Sequence, residues 1–301
     1  MSKKYKLTEE TKVYNGKTLY RIKALKNFSY VNKGQKGGFV ESEYNLSQEN
    51  DCWIDDDAMV FDDARVDGYA LVVHHAIVCG RSKVTNSALV NDHAFVKDSY
   101  IIDNAIVGDF AKLTRGVSVG GRSNIGGNME ITNAITVQNG SYLRGNSKIR
   151  HQDDFITFQM WWNGNETITY IFEEAKWFTT TFAYSTSDLI EYNKADETYI
   201  KTLIEMMKLA SNTSLIMNIE CFIGLIYVNG LEKTTLSDHK VSFIYNKSNF
   251  QIDVEFNDEH RYKSSDIKIL ETALKNVRNT HNIQSLYNIP FIKSVEMKLW
   301  K

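Results

Sequence analysis

The sequence predicts a mainly β protein whose central part, residues 48–150, winds into a left-handed parallel β-helix. Three observations carry the prediction. An aliphatic residue recurs every six positions, a small residue follows it four positions later, and Asp, Asn or Gly is favoured two positions after it. A period of six matches neither an α-helix nor a simple strand alternation. It fits a triangular coil with one six-residue repeat, or hexad, on each flat side.

The aliphatic residues are expected to point into the interior of the coil. Their period is interrupted once, by a five-residue step from Val96 to Ile101. The series consists of Ile54, Val60, Val66, Val72, Val78, Val84, Val90, Val96, Ile101, Val107, Leu113, Val119, Ile125, Ile131, Val137, Leu143 and Ile149.

The small residues are expected to point inwards near a corner, where little space remains. They are Ala58, Ala64, Ala70, Ala76, Ser82, Ala88, Ala94, Ala105, Ala111, Ser123, Ser141 and Ser147, with Val117, Met129 and Ile135 as larger exceptions.

Corner residues need a backbone that tolerates positive φ, which favours Gly, Asn and Asp. The predicted corners are Asp56, Asp62, Gly68, Gly80, Asn86, Asp92, Asp98, Asp103 or Asn104, Asp109, Gly121, Gly127, Asn133, Asn139 and Gly145. Three hexads make one coil, so residues 18 apart should lie above one another.

The remaining chain is predicted to form a short N-terminal β cap and C-terminal α+β parts. The predicted domains are 1–47 (β cap), 48–150 (β-helix), 151–212 (α+β cap) and 213–301 (second α+β unit). The α+β cap should contain a hairpin over 155–172 that turns at Asn163 and Gly164, a strand over 177–184 and a helix over 196–210. The second unit should contain strands at 215–228, 241–246 and 250–256 and a helix at 265–279.

Composition excludes several classes of protein. The formal net charge of −2 gives no reason to expect a nucleic-acid or membrane partner. No signal peptide and no apolar run of about 18 residues is visible. The cysteines Cys52, Cys79 and Cys221 are odd in number and form no CxxC pair, which fits a reducing cytoplasm.

The hexad pattern resembles the hexapeptide-repeat superfamily of left-handed β-helices. Residues 19–25 (LYRIKAL), 37–43 (GGFVESE) and 45–47 (NLS) are similar to the lead-in of uncharacterised phage and prophage members. This resemblance covers roughly residues 15–210. It implies that a short β region caps the first coil and, for a phage-encoded protein, that the host cytoplasm is its location.

The best-known members of the superfamily are acyltransferases, which the resemblance makes an alternative to a non-enzymatic role. They need a catalytic histidine and often a loop that leaves the coil. Residues 54–96 run in unbroken sixes and leave no room for such a loop. His75 and His93, next to His74, are the candidate bases, and whether the protein is an enzyme stays open.

Two neighbouring columns of polar residues suggest a possible metal site at one corner. Asp57, His75 and His93 fall in one column, and Asp56, His74 and Asp92 fall in the next, which Asp109 continues. His and carboxylate groups are common metal ligands. The candidate ligands are Asp57, His74, His75, Asp92 and His93. The alternative is a solvated polar corner, and the close His pair of the related γ-class carbonic anhydrases is absent. No cofactor is predicted.

Charge is unevenly distributed along the predicted coil. Residues 49–67 contain eight acids and one arginine, a balance of −7, whereas residues 111–150 contain six bases and one acid, a balance of +5. The basic end suggests an anionic ligand, and a cluster of aromatic residues (Trp161, Trp162, Trp177 and Phe178) suggests a partner surface. The candidate binding residues are Arg115, Arg122, Arg144, Arg150, Trp161 and Trp162. Alternatively, the charges are merely solvated and the tryptophans form the core of a small sheet.

The sequence therefore favours a non-enzymatic homo-oligomer, a dimer or trimer, that binds a host protein or a small anionic ligand. Host interaction or anti-defence is the role that the phage resemblance implies. The alternative is an acyltransferase-like or metal-dependent enzyme that uses the corner of His74, His75 and His93.

Overall fold

The computed structural model describes residues 3–160, 166–180, 182–185, 188–189, 222–223, 226, 228, 231–237, 239–245, 249–257 and 260–299. The chain divides into two compact units, Met1–Thr169 with Phe178–Thr180, and Tyr170–Trp177 with Thr181–Lys301. The predicted mainly β class is confirmed, since the first unit contains a parallel β-solenoid of about six turns.

The first unit begins with three longer strands and a short 3-10 helix. They are β1 (Tyr5–Tyr14), β2 (Lys17–Ala24), β3 (Lys36–Val40) and the 3-10 helix Glu43–Asn45. The solenoid strands that follow are only two or three residues long: β4 (Trp53–Ile54), β5 (Met59–Val60), β6 (Arg65–Val66), β7 (Leu71–Val72), β8 (Ile77–Cys79), β9 (Lys83–Val84), β10 (Leu89–Val90), β11 (Phe95–Lys97), β12 (Tyr100–Ile101), β13 (Ile106–Val107), β14 (Lys112–Thr114), β15 (Ser118–Val119), β16 (Asn124–Ile125), β17 (Glu130–Ile131), β18 (Thr136–Val137), β19 (Tyr142–Leu143) and β20 (Lys148–Ile149).

These strands form three sheets, one for each side of the coil. The first sheet has the order β1-β2-β3-β5-β8-β11-β14-β17-β20, with β1, β2 and β3 antiparallel and the others parallel. The second sheet has the order β19-β16-β13-β10-β7-β4, and the third has the order β18-β15-β12-β9-β6. Each sheet takes every third strand, which is the pattern that three hexads per coil predict.

The interior of the coil matches the predicted pattern. Every aliphatic residue of the series is fully buried, and each predicted small residue is at most 2% exposed. The larger exceptions Val117, Met129 and Ile135 are buried as well. Strand partners lie 18 positions apart, as Leu71 and Leu89 do in the second sheet. The predicted stacking of successive coils is therefore confirmed.

The corners adopt the left-handed backbone conformation at the predicted positions, from Asp56 (φ 52°) to Gly145 (φ 130°). Asp103, and not Asn104, is the corner residue after Ile101. Two corners carry residues outside the predicted types, His74 (φ 59°) and Arg115 (φ 61°).

The five-residue step shortens a corner and leaves the strands intact. Asp98 has the left-handed φ of 51°, and the small residue of that hexad, Ser99, follows it at once and is fully buried. Other corners have one more residue between these two positions. The Asp98 carboxylate accepts a hydrogen bond from the Arg81 amide at 2.9 Å, which ties the shortened corner to the preceding coil. Strand partners are 17 residues apart across the step, as with Lys83 and Tyr100.

A buried lysine satisfies the open end of the first coil. In this solenoid, the carbonyl groups of each coil accept hydrogen bonds from amides of the coil before it. The first coil has no preceding coil along part of its edge, so some of its carbonyl groups need another donor. Lys4 is fully buried, and its Nζ donates to the carbonyl oxygens of Glu49 (3.3 Å), Asn50 (3.1 Å) and Cys52 (2.8 Å). The Cys52 Sγ lies 3.3 Å from the same Nζ. Burial lowers the pKa of Lys4 and raises the pKa of the Cys52 thiol.

In the C-terminal part of the chain, the described residues include two antiparallel sheets and two helices with defined bounds. Their elements are β21 (Phe155–Met160), β22 (Glu166–Ile171), β23 (Lys176–Phe178), β24 (Ala183–Tyr184), β25 (Glu232–Ser237), β26 (Lys240–Tyr245), β27 (Phe250–Phe256), α1 (Ser264–Thr280), α2 (Gln284–Tyr287) and β28 (Ile292–Leu299). The sheet orders are β21-β22-β23-β24 and β25-β26-β27-β28. No helix in the described part of the chain is long and apolar enough to span a membrane.

Most predicted C-terminal elements are present, and two predictions need correction. The strands at 241–246 and 250–256 and the helix at 265–279 correspond to β26, β27 and α1. The single strand predicted over 177–184 is instead two strands, β23 and β24. Residues 222–223 are helical, so the prediction of a continuous strand over 215–228 is wrong. The Phe222 ring packs against the Tyr262 ring, with 4.5 Å between the ring centroids. Packing against distant parts of the chain can outweigh the strand propensity of a segment.

Some predicted features lie outside the described residues. They are Trp161, Trp162, the turn at Asn163 and Gly164, the helix over 196–210 and Cys221.

The substitution Arg115→Gly should stabilise the protein by about 0.5–1 kcal/mol. A non-glycine residue in the left-handed region is strained, and glycine relieves that strain. The gain is reduced because glycine also increases the conformational entropy of the unfolded chain. Chemical unfolding measures the change. Lys112→Gly, on the extended strand β14, is the matched control and should destabilise. A loss of stability in Arg115→Gly would show that the arginine makes a stabilising contact in the folded protein.

Candidate functional site

The candidate histidines lie at the corner where the second sheet passes into the first. Four successive coils place the pairs Asp56–Asp57, His74–His75, Asp92–His93 and Asp109–Phe110 there, one above the other. The first member of each pair has the left-handed backbone conformation, and the second member follows it along the chain. The structure thus brings together all five candidate metal ligands, in two adjacent columns.

The inner column is a ladder of hydrogen bonds between coils. The His74 amide donates to the Asp56 carboxylate at 3.2 Å, and the Asp109 amide donates to the Asp92 carboxylate at 3.2 Å. His74 Nδ1 lies 3.2 Å from Asp92 Oδ1. Each side chain therefore binds a group on the next coil. This geometry gives the inner column a structural function, because it satisfies corner amides that the sheets leave free.

The ladder continues to the basic end of the solenoid through Asp109. The Gly127 amide donates to its carboxylate at 2.7 Å, and Arg144 Nη2 lies 2.5 Å from the same oxygen. The hydrogen bond from Gly127 lowers the pKa of Asp109, and Arg144 lowers it further against the opposing effect of partial burial.

The outer column is a stack of rings. The His75 and His93 centroids are 5.0 Å apart with an interplanar angle of 30°, and the His93 and Phe110 centroids are 4.9 Å apart with an angle of 16°. All three side chains are exposed, and Phe110 is 62% exposed. Below the stack, Asp57 forms an ion pair with Arg21 of β2 at 3.0 Å.

This arrangement offers little to a metal ion or an acid–base reaction. The nitrogen lone pairs of imidazole lie in the ring plane, so stacked rings direct them sideways and not towards one common point. Within the described residues, no group of three or more His, Cys, Asp or Glu side chains is placed to hold a metal ion. The assignment of these histidines as ligands or bases therefore stays a prediction.

The four candidate arginines do not converge on one patch. Arg115 and Arg122 follow β14 and β15 at two different corners, Arg144 follows β19 of the second sheet, and Arg150 follows β20 of the first sheet. Arg144 is engaged with Asp109, whereas the side chains of Arg115, Arg122 and Arg150 have no hydrogen bond or ion pair to any described residue. A single anion cannot contact all four.

The acidic end is partly neutralised by cations that the sequence analysis did not include. Lys17 Nζ lies 2.9 Å from Glu41 and 2.7 Å from Asp62. Partial burial of Asp62 opposes its ionisation, but Lys17 and the Gly80 amide outweigh this and hold its pKa below the usual value. The signal was available in the sequence: residues 3–36 carry ten basic and two acidic residues, a balance of +8.

Comparison with known proteins adds nothing to this geometry. No protein-family model matches the chain, and no curated protein matches it.

The substitution Asp109→Asn tests the structural function of the inner column. The folded-state pKa of Asp109 is lowered, so its ionised form contributes stability above the unfolded value of 3.8, and this is lost as pH falls through the folded value. Asp109→Asn should therefore destabilise by about 1 kcal/mol at neutral pH, after allowance for solvent screening. The difference should shrink in acid, as thermal unfolding at several pH values measures.

Asp63→Asn is the matched control, because Asp63 is an exposed corner carboxylate without a hydrogen bond or ion pair in the described structure. Equal, pH-independent losses in both variants would contradict the assigned function of Asp109.

Proposed function

We propose that the protein is a non-enzymatic scaffold that self-associates through the second sheet of its solenoid. One observation carries the proposal: the outward side of this sheet has a continuous row of apolar side chains, with an acidic residue at one end of the sheet and a basic residue at the other.

The apolar stripe consists of Leu71, Val73, Leu89 and Ile106. Leu89 is the strand partner of both Leu71 and Ile106, so the three side chains form one continuous row. Each member of the stripe is half-buried, in contrast to the inward Val72, Val90 and Val107, which are fully buried.

The second sheet differs from the third sheet in the side chains that it directs outward. The outward row that contains Val73 continues with Asn91, Gly108 and Gly126, and the side chains of Asn91 and Arg144 lie against the two glycines. Tyr100 and Lys83, at the equivalent outward positions of the third sheet, are exposed. Contiguous apolar surface of this kind is a common sign of a protein interface.

Charge favours a second copy of the chain as the occupant. Asp55 follows Ile54 at one end of the outward row, and Arg144 follows Leu143 at the other end. A two-fold axis through the centre of the stripe would place Asp55 of one copy near Arg144 of the other, and the reverse. Such a surface is self-complementary, as an isologous dimer requires. This argument favours the dimer over the trimer.

The partner beyond the second copy is proposed on a different basis. The similarity of residues 19–25 and 37–43 to phage and prophage proteins supports a phage origin, and with it a host-interaction or anti-defence role in the host cytoplasm. The ligand would be a host protein or a small anion.

The substitution Leu89→Asp should break the dimer. It places two carboxylates in the centre of an apolar contact, and a loss of about 3 kcal/mol corresponds to a roughly 100-fold higher Kd. Light scattering coupled to size-exclusion chromatography measures the mass, which should fall from twice 34.6 kDa to 34.6 kDa. Circular dichroism confirms that the variant is folded.

Tyr100→Asp is the matched control, since Tyr100 occupies the same hexad position on the third sheet and is 48% exposed. It should remain a dimer. A monomeric wild-type protein, or equal loss of dimer in both variants, would contradict the proposal.

The enzymatic alternative is tested by native mass spectrometry of protein purified without chelator. A bound metal that is lost in His75→Ala would favour the histidine corner, whereas metal-free protein that is unchanged by His75→Ala and His93→Ala would favour the scaffold.

A further inference from the structure

The N-terminal segment, residues 3–36, is rich in positive charge. Residues 3–36 have a balance of +8, and four of their cations, Lys3, Lys17, Arg21 and Lys36, form ion pairs with nearby carboxylates. Others remain uncompensated, and the strand register brings two of these together with Lys36.

Three lysines stand side by side across β1, β2 and β3. Lys6 is the direct strand partner of Lys23, and Lys23 is the direct partner of Lys36. Directly opposed residues project from the same face of a sheet, with Cβ atoms about 4.5–5.5 Å apart, and like charges in this arrangement are destabilising. We name these three residues the lysine row.

The existing carboxylates do not neutralise the lysine row. Glu10 contacts Lys36 Nζ at 2.6 Å and Arg21 Nε at 2.7 Å, so it is shared between two cations. Lys6 and Lys23 have no side-chain hydrogen bond or ion pair to any described residue. Lys6 is exposed and Lys23 is half-buried, so both can be reached from solvent.

We infer that the lysine row binds a small polyvalent phosphate anion, with the size and charge of a di- or triphosphate group. Neighbouring strands are about 4.8 Å apart, so the row spans about 10 Å. A single carboxylate cannot reach all three ammonium groups, whereas a chain of two or three phosphates carries several negative charges over a comparable length. This inference rests on the proposed function, in which the ligand is a host protein or a small anion, and it identifies the chemical class of that anion.

The lysine row differs from the basic end predicted from the sequence. The four arginines of residues 115–150 lie at separate corners and sides, whereas the three lysines are adjacent on one face of one sheet. An anion at the row would also replace like-charge repulsion with attraction, so binding should stabilise the fold.

The test uses inorganic tripolyphosphate and the whole 301-residue chain. Thermal unfolding is measured with and without tripolyphosphate, against sodium chloride at the same ionic strength, and affinity is measured by calorimetry. Tripolyphosphate should raise the Tm of the wild-type protein by several degrees, and sodium chloride should raise it less. General screening of charge depends only on ionic strength and is therefore equal in both salts, so the difference in Tm reports specific binding.

The decisive variant is Lys23→Gln, which removes the central charge of the row. Without anion its Tm should be higher than that of the wild-type protein, because the repulsion is relieved, and its affinity for tripolyphosphate should fall at least tenfold. Lys33→Gln is the matched control: it lowers the net charge equally, from an exposed position between β2 and β3, and should keep wild-type affinity.

Other outcomes decide between sources of the anion. Equal binding of tripolyphosphate and a nucleoside triphosphate would support recognition of the phosphate chain alone, and tighter binding of the nucleotide would support a nucleotide as the natural source. Equal loss of affinity in Lys23→Gln and Lys33→Gln, or a preference for a short DNA duplex, would overturn the inference. Dimer formation should be unchanged in Lys23→Gln, so failure of this inference is distinguishable from failure of the proposed self-association.

Discussion

The solenoid depends on one backbone constraint, the left-handed corner that recurs two residues after each inward aliphatic side chain. Each corner turns the chain from one sheet to the next, and three corners close a coil. Residues other than Gly, Asn and Asp adopt this conformation at a cost of about 1–2 kcal/mol. The sequence meets the constraint at nearly every coil, and where it does not, at His74 and Arg115, the rest of the coil maintains the conformation.

The same constraint determines which residues are available for function. Corner side chains lie above corner amides of neighbouring coils, so Asp56, Asp92 and Asp109 accept hydrogen bonds from them. Polar residues that resemble a metal or catalytic cluster in the sequence thus have structural partners. Side chains on the outward faces of the strands are not needed for these hydrogen bonds, and the apolar stripe and the lysine row consist of such side chains.

The repeat could be predicted in detail because it is local. The interior positions and most corners follow from spacing alone, including the position of the five-residue step. The choice of Asp103 over Asn104 needed the structure, because both residue types suit a corner. The separation of the arginines was also predictable in principle, since Arg115 and Arg122 are seven residues apart and therefore occupy different corners.

Long-range relations could not be predicted from spacing. Nothing in the spacing of Lys6, Lys23 and Lys36 indicates that β1, β2 and β3 align them, because a β-bulge shifts the register of each pair of strands. Nor does the repeat show that Arg21 pairs with Asp57, which occupies the end of the histidine column. The helical conformation of Phe222 and Ile223 also differs from the strand that the local pattern predicts, and the Phe222 ring packs against Tyr262 of a distant segment.

The most direct test of the account is disulfide trapping of the coil register. Thr114 and Thr132 are 18 residues apart, and their hydroxyl oxygens are 3.1 Å apart in the first sheet. The pair Thr114→Cys/Thr132→Cys should form a disulfide under mild oxidation, as peptide mapping detects, since stacked strands satisfy the required Cα separation. The pair Thr114→Cys/Thr136→Cys, on two different sheets, should not. Cross-linking of the second pair and not the first would contradict the coil register on which the apolar stripe depends.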